Sequence, residues 1–281
     1  MIEKINWNIS GAFCKSDIIL KFFRENNLFS TFKSISVYDG VSRCLWNGGR
    51  MHYDNTPAQS IKEDYYKIGW GINLTFSNFD IDLKDPLGNE LLHEFHKEGN
   101  GIILVNENFR KYLRKNFPKY KLIHSVTGCG HVQELPLRDR DVDFYLDLQD
   151  KYDLVIPRCG STFDPKLRRL NKEKTEIMVN DTCILNCPLY HEHFKKISDS
   201  NRLGNDWDDK IAECYIDKDI FDKTISREKR ILRDKYPFDF GKEGILRLLD
   251  EGFTNFKISG RDESEENFLS DLRRNLIYGS E

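Results

Sequence analysis

The sequence has no run of about 18 consecutive apolar residues, and its opening stretch, MIEKINWNIS, lacks the apolar segment of a secretion signal. A membrane-spanning helix and an exported product are therefore not expected, and a cytosolic location is. Charge of one sign is also lacking. The 43 Lys and Arg stand against 46 Asp and Glu, for a net charge of −3. That gives no global attraction to nucleic acid, so such a partner would need a local basic surface. The P-loop, the serine-hydrolase elbow and the H-E-x-x-H zinc helix are absent. A glycine-rich phosphate turn after the first strand is absent too, since NISGAFCKS is not one.

What is present is a long alternation of short β-type runs and amphipathic stretches. The runs are 5–10, 34–39, 71–78, 101–106, 121–126, 153–158, 175–180 and 253–260, each rich in Ile, Val, Leu or Phe. Helical patterns lie between them, among them SDIILKFFREN, ENFRKYLRKNF, DVDFYLDLQDKY, DPKLRRLNKE and ENFLSDLRRNLIYG. Eight strand–helix units predict a single (β/α)8 TIM-like barrel over residues 1–281, with parallel strands. Residues 195–243 are long, polar and irregular, and are read as an excursion over the barrel mouth between strands seven and eight. An open doubly wound sheet is the structural alternative. Richness in Lys, Asn, Ile and Phe suggests a low-GC bacterial or phage coding background.

In a β/α barrel the chemistry collects at the C-terminal strand ends. The seven cysteines all fall in segments leading away from those ends, a placement that favours metal or thiol chemistry over use as small core residues. In a reducing cytosol they are not expected to form a disulfide framework. The densest cluster is VNDTCILNCPLYHEHF, where Cys183, Cys187, His191 and His193 have a spacing unlike the C-x-x-C of zinc ribbons. Pro188 suits the first turn of a helix. His191 and His193 would lie early in that helix and face different ways. A mixed Cys/His set would suit zinc, and four thiolates an iron–sulfur cluster. A capped helix with two buried thiols is the plain alternative.

Other candidates sit on the same face. Asn47, Gly48, Gly49 and Arg50 in CLWNGGR combine close backbone approach with a guanidinium. With Arg158 and Arg261 they would form an anion clamp. Asn106-Glu107, with Asp181 near the seventh strand, resembles the carboxylate pair of barrel glycosidases, which sit about 5 Å apart in retaining enzymes; a plain helix start explains Glu107 as well. Asn180 and Asp181 end the seventh strand. The basic stretches 110–121 and 166–174 fall on outer helices and read as solvated faces.

Two segments, TEIMVNDTCILNC and FTNFKISGR, resemble in order and character the collagenase-like U32 peptidase family. That family's last strand reads close to F-K-I-E-G-R, with Glu where this chain has Ser259. The resemblance covers the C-terminal third and implies a β/α barrel. It also implies an iron–sulfur cluster held by cysteines, and modification such as oxygen-independent hydroxylation of nucleic-acid bases. Carried onto this chain, Cys183 and Cys187 would be ligands, Cys214 a third, and Cys159 or His191 the fourth. The expected function is a metal- or iron–sulfur-dependent barrel enzyme acting on an anionic small molecule or nucleic-acid base. A non-catalytic barrel that binds a partner or small anion at the mouth is the alternative, and a glycoside hydrolase a further one.

Overall fold

A computed structural model of the chain describes residues 1–49, 57–180, 183, 185–203, 240–261 and 263–278. Arg50, Asp181, Cys214 and most of the expected excursion lie outside the described residues. The eight strands are β1 (Asn6–Ser10), β2 (Ser34–Asp39), β3 (Gly71–Phe76), β4 (Gly101–Leu104), β5 (Lys121–His124), β6 (Leu154–Val155), β7 (Glu176–Met178) and β8 (Asn255–Ile258). They form one parallel sheet in the order β6-β5-β4-β3-β2-β1-β8-β7. A single parallel bridge, Val155 to Thr175, joins the two end strands and closes the ring. The expected single (β/α)8 barrel is what the chain forms.

Helices α1 (Ser16–Glu25), α2 (Gln59–Lys67), α3 (Pro86–Glu94), α4 (Glu107–Asn116) and α5 (Asp139–Lys151) follow the first five strands in turn. Then come α6 (Tyr190–Arg202), α7 (Gly241–Asp250) and α8 (Glu265–Leu276). Local chemistry sets their starts. Asn106 Oδ1 accepts the Phe109 amide at 2.9 Å, Asp85 accepts from Gly88 ahead of Pro86, and Ser264 accepts from Asn267. Two expectations need correction. DPKLRRLNKE is not an α-helix: short 3₁₀ turns at Cys159–Phe163, Pro165–Arg169 and Lys172–Lys174 fill the β6–β7 connection. Asp164 and Asn171 cap the last two of these turns, and side chains that bond their own backbone two residues on favour turns over helix. At the edges of the expected excursion the chain is helical, residues 195–202 belonging to α6 and 241–243 to α7. None of the helices among the described residues is long and apolar enough to cross a membrane.

Both strand faces are buried, and the two differ in character. Trp7, Ile9, Val37, Leu74, Leu104, Ile177 and Phe256 point outward into the main core under the helices. The alternate residues point into the barrel. On β4 to β7 these are Ile103, Ile123, Leu154, Ile156 and Met178, which pack with Tyr38. On β1 to β3, β7 and β8 they are Asn8, Ser36, Asn73, Glu176 and Lys257, all polar. The barrel interior thus has an apolar half and a hydrogen-bonded polar half.

Candidate functional site at the barrel mouth

The chain leaving β7 crosses directly over the apolar half. Cys187 is 6% exposed and packs with Tyr190, Tyr38, Ile156 and Met178; Cys183 is half-buried at the edge of the same cluster. The two sulfurs lie within hydrogen-bonding reach of each other. The Cys183 hydrogen bond pushes the Cys187 thiol down to about 6, helped by the Leu189 and Tyr190 amides at the start of α6 and by the nearby Arg158 guanidinium. The other cysteines with resolved shifts go the opposite way. Burial raises Cys14 and Cys129 to about 12 and Cys44 higher still. Cys187 alone among these four is held toward its thiolate.

The remaining expected ligands do not join the pair. Cys159 is buried on the helix-facing side of the barrel, its thiol donating to the Met178 carbonyl at 3.1 Å. His191 is exposed, edge-on to Phe79 and packed over Gly130. His193 is buried and stacks on Phe194, so the two histidines do face different ways. Among the described residues, no three of His, Cys, Asp or Glu form a group suited to a metal ion.

The arginines divide in the same manner. Arg158 forms an ion pair with Glu134, both side chains at 2% exposure or less, and lays its guanidinium 3.4 Å from the Tyr190 ring centre. Glu134 is further committed to the Gly160 amide at 3.0 Å. Arg158 is therefore internal structure beneath the thiol pair, not a clamp open to a ligand. Arg261 stays at the rim, 3.5 Å from Asp39, which also accepts from the Phe13 and Gly40 amides and from the Cys14 thiol at 3.6 Å.

Asn47, Gly48 and Gly49 form a pinned loop. Asn47 donates to the Val41 carbonyl, while Asn78 and Asn201 bond the loop's carbonyl oxygens from β3 and α6. A Cβ on Gly49 would lie 2.4 Å from the Arg261 guanidinium, so this glycine lets the arginine reach the loop. At Gly48 a Cβ would sit 1.9 Å from the Ser77 carbonyl oxygen, which is backbone and cannot swing aside. Gly48→Ala is expected to cost roughly 1–3 kcal/mol, the usual cost of overpacking, as read by denaturant unfolding. No change in midpoint would mean that the loop is not seated against Ser77.

Both proposed carboxylate-chemistry positions that are described serve structure. Glu107 is paired with Arg110 at 2.7 Å, and this pairing holds its carboxyl below the usual range. That is the plain helix start rather than a glycosidase acid. Asn180 donates to Asp271 at 2.6 Å and to the Ser259 carbonyl, accepts the Ser259 amide, and its own carbonyl takes the Ser259 hydroxyl at 2.7 Å. Ser259 thereby locks the ends of β7 and β8 together.

Sequence reading missed the polar half of the interior. Asn8 donates to both Glu176 oxygens at 3.1 and 3.3 Å, and Asn73 links Asn8 Oδ1 to the Ser36 hydroxyl. Lys257 Nζ lies 3.9 Å from Glu176 and 3.4 Å from the centre of the Tyr38 ring. Polar residues at alternate positions in otherwise apolar strands were the available signal.

Comparison with known proteins agrees with this architecture. The solved structure titled "The Structure of the U32 Peptidase Mk0906" superposes with a TM-score of 0.52 over 91% of this chain and 93% of that one, at 11% identity. No family model and no curated protein matches the sequence. At that identity the likeness is one of fold: this chain is similar in architecture to a U32 peptidase barrel.

Proposed function

We propose that the chain is an enzyme working at the C-terminal mouth of its barrel on an anionic substrate, such as a nucleotide or nucleic-acid base. In this reading Cys183 and Cys187 are two ligands of an iron–sulfur cluster, with zinc as the alternative. The meeting of these two sulfurs above the barrel interior, beside the amides that open α6, carries the reading. Soft thiolates suit both groups. The fit is to two ligand positions. Cys159 and His191 face elsewhere, and Cys214, the expected third ligand, lies outside the described residues. A cluster there would supply electron transfer or a Lewis-acidic iron. Arg261 at the rim is the anion-binding candidate.

The test is anaerobic purification followed by assay of iron, acid-labile sulfide and zinc. The expected result is stoichiometric metal, lost in Cys183→Ser and Cys187→Ser while the circular dichroism of the barrel is retained. Colourless protein without stoichiometric iron or zinc would overturn the metal reading and leave a barrel that binds a partner or small anion.

A further inference from the structure

Lys257 is the most unusual charged group in the barrel. It is 5% exposed, and its Nζ has no hydrogen-bond partner among the described residues. Buried polar groups normally have at least one hydrogen-bond partner, and an ammonium carries three donors to satisfy. This one has a carboxylate 3.9 Å away and an aromatic face 3.4 Å away. The face belongs to Tyr38, one residue from the C-terminal end of β2, whose hydroxyl is tied to the Ile258 carbonyl at 3.2 Å. The amine therefore stands near the catalytic end of the barrel with its donors unspent, and Tyr38 is shared with the cluster around Cys187.

We propose that Lys257 is a catalytic amine that forms an imine with a small aldehyde or ketone, with Glu176 as its acid–base partner. The site is built for this on three sides. Asn8 grips both oxygens of Glu176 and is itself held by Asn73 and Ser36, which fixes the carboxylate beside the amine. Tyr38 covers the cation face on. Arg261 adds positive charge from the rim, with Asp39 behind it, and Lys121 acts on Glu176 from β5.

Burial, the largest effect on both partners, pushes the Glu176 carboxyl up and the Lys257 amine down to about 8. Both changes favour transfer of a proton from ammonium to carboxylate. At pH 7 an amine with that value has roughly 200- to 300-fold more of its neutral, nucleophilic form than an ordinary lysine.

The chemistry closes without any further reagent. Lys257 gives a proton to Glu176, and its nitrogen lone pair attacks the carbonyl carbon. A C–N bond forms, the C=O π electrons move to oxygen, and a proton shifts from nitrogen to that oxygen to give a carbinolamine. Glu176 returns its proton to the hydroxyl, the C–O bond breaks, and water leaves as nitrogen forms C=N. One ammonium and one carbonyl become one protonated imine and one water. The imine keeps the positive charge beside Glu176 and over Tyr38, where the ammonium stood. None of this depends on whether a metal occupies Cys183 and Cys187.

The experiment treats full-length protein with glyoxylate and cyanoborohydride, which reduces the imine to a stable secondary amine, and maps the modified peptides by mass spectrometry. The expected result is that Lys257 is modified at least tenfold faster than any other lysine, with a rate that rises to a plateau through a midpoint near 8. Glu176→Gln should slow the labelling at least tenfold, and Lys257→Arg should abolish it while leaving the other sites unchanged. Labelling of Lys257 no faster than the exposed lysines would overturn the proposal, and so would its complete protection. The first measurement uses the unmodified protein, so it stands even if a variant fails to fold.

Discussion

Glu134→Ala should cost about 3–5 kcal/mol of folding stability, the usual penalty when one member of a buried ion pair is removed. Glu134 and Arg158 are 2% and 1% exposed at the side chain. Removing the carboxylate takes from a buried guanidinium the oppositely charged group it pairs with, and an imperfectly compensated buried charge is far costlier than a buried polar group. It also removes the acceptor for the Gly160 amide. For a domain of this size the loss corresponds to a fall in melting temperature on the order of 10 °C. Replacing both residues together, as Glu134→Leu with Arg158→Met, should recover most of it, because the desolvation of both ions disappears along with their attraction. Equilibrium unfolding in urea, compared across the three variants, measures this directly. A loss below about 1 kcal/mol for Glu134→Ala would place the pair in the class of solvated surface bridges.

The same pair has a consequence at the mouth. Arg158 lies against Tyr190 and helps hold Cys187 toward its thiolate. The guanidinium that was expected to face an anion from solvent is buried against Glu134 and Tyr190, where its charge also favours the thiolate form of Cys187. Spacing along the chain could not distinguish these roles. Arg158 follows β6 as expected, but its partner Glu134 comes from the β5–α5 connection, and only the tertiary fold brings the two together.

The strands were legible because apolar residues recur at every second position, His124 on β5 excepted, and that set is the one facing the helices. The intervening Asn8, Ser36 and Asn73 look, in one dimension, like the solvent face of an antiparallel strand. In a closed barrel there is no solvent face, and these residues become a buried network around Glu176 and Lys257. The helix α2 left a weak trace because QSIKEDYYK buries only Lys62 and Tyr65, too few positions for a clear 3.6-residue period. Pro188 marked the approach to α6 but lies just before it rather than in its first turn, since the helix starts at Tyr190 with Leu189 as N-cap, and its extension to Arg202 was hidden by a polar composition. Within the candidate site, Cys183 and Cys187 meet because they are four residues apart on one connection. Cys159 faces away because it opens a 3₁₀ turn whose side chain bonds back to the Met178 carbonyl. Proximity within one loop was readable, and the direction of a thiol on another loop was not.

Stability should fall steeply as the pH drops below about 6.5, and His124 should account for much of the fall. His124 ends β5 and points outward, with Tyr152 edge-on at 5.0 Å, Phe144 at 6.4 Å and the Cys129 sulfur 3.8 Å from Nδ1. Gly128 lies directly against the ring. Burial drives its pKa down to about 3, with His131 adding repulsion and Glu107 opposing weakly. In the unfolded chain the same imidazole titrates near 6.5. Between those two values the unfolded state holds a proton that the folded state does not, so stability rises with pH across the window and is lost as the pH falls through it. A single such group contributes up to about 1.4 kcal/mol per pH unit, or about 2 kcal/mol between pH 6.5 and 5. That upper interval is the informative one, because most carboxylates titrate below it. His131, more exposed but also lowered first by partial desolvation, acts in the same direction. His124→Gln keeps a polar group at the site and removes the titration, so its stability should be flatter from pH 7 to 5 than that of the unaltered chain. Urea unfolding of both proteins at half-unit pH steps separates the outcomes. Parallel curves over that interval would mean that the imidazole is protonated as readily in the folded barrel as in the unfolded chain.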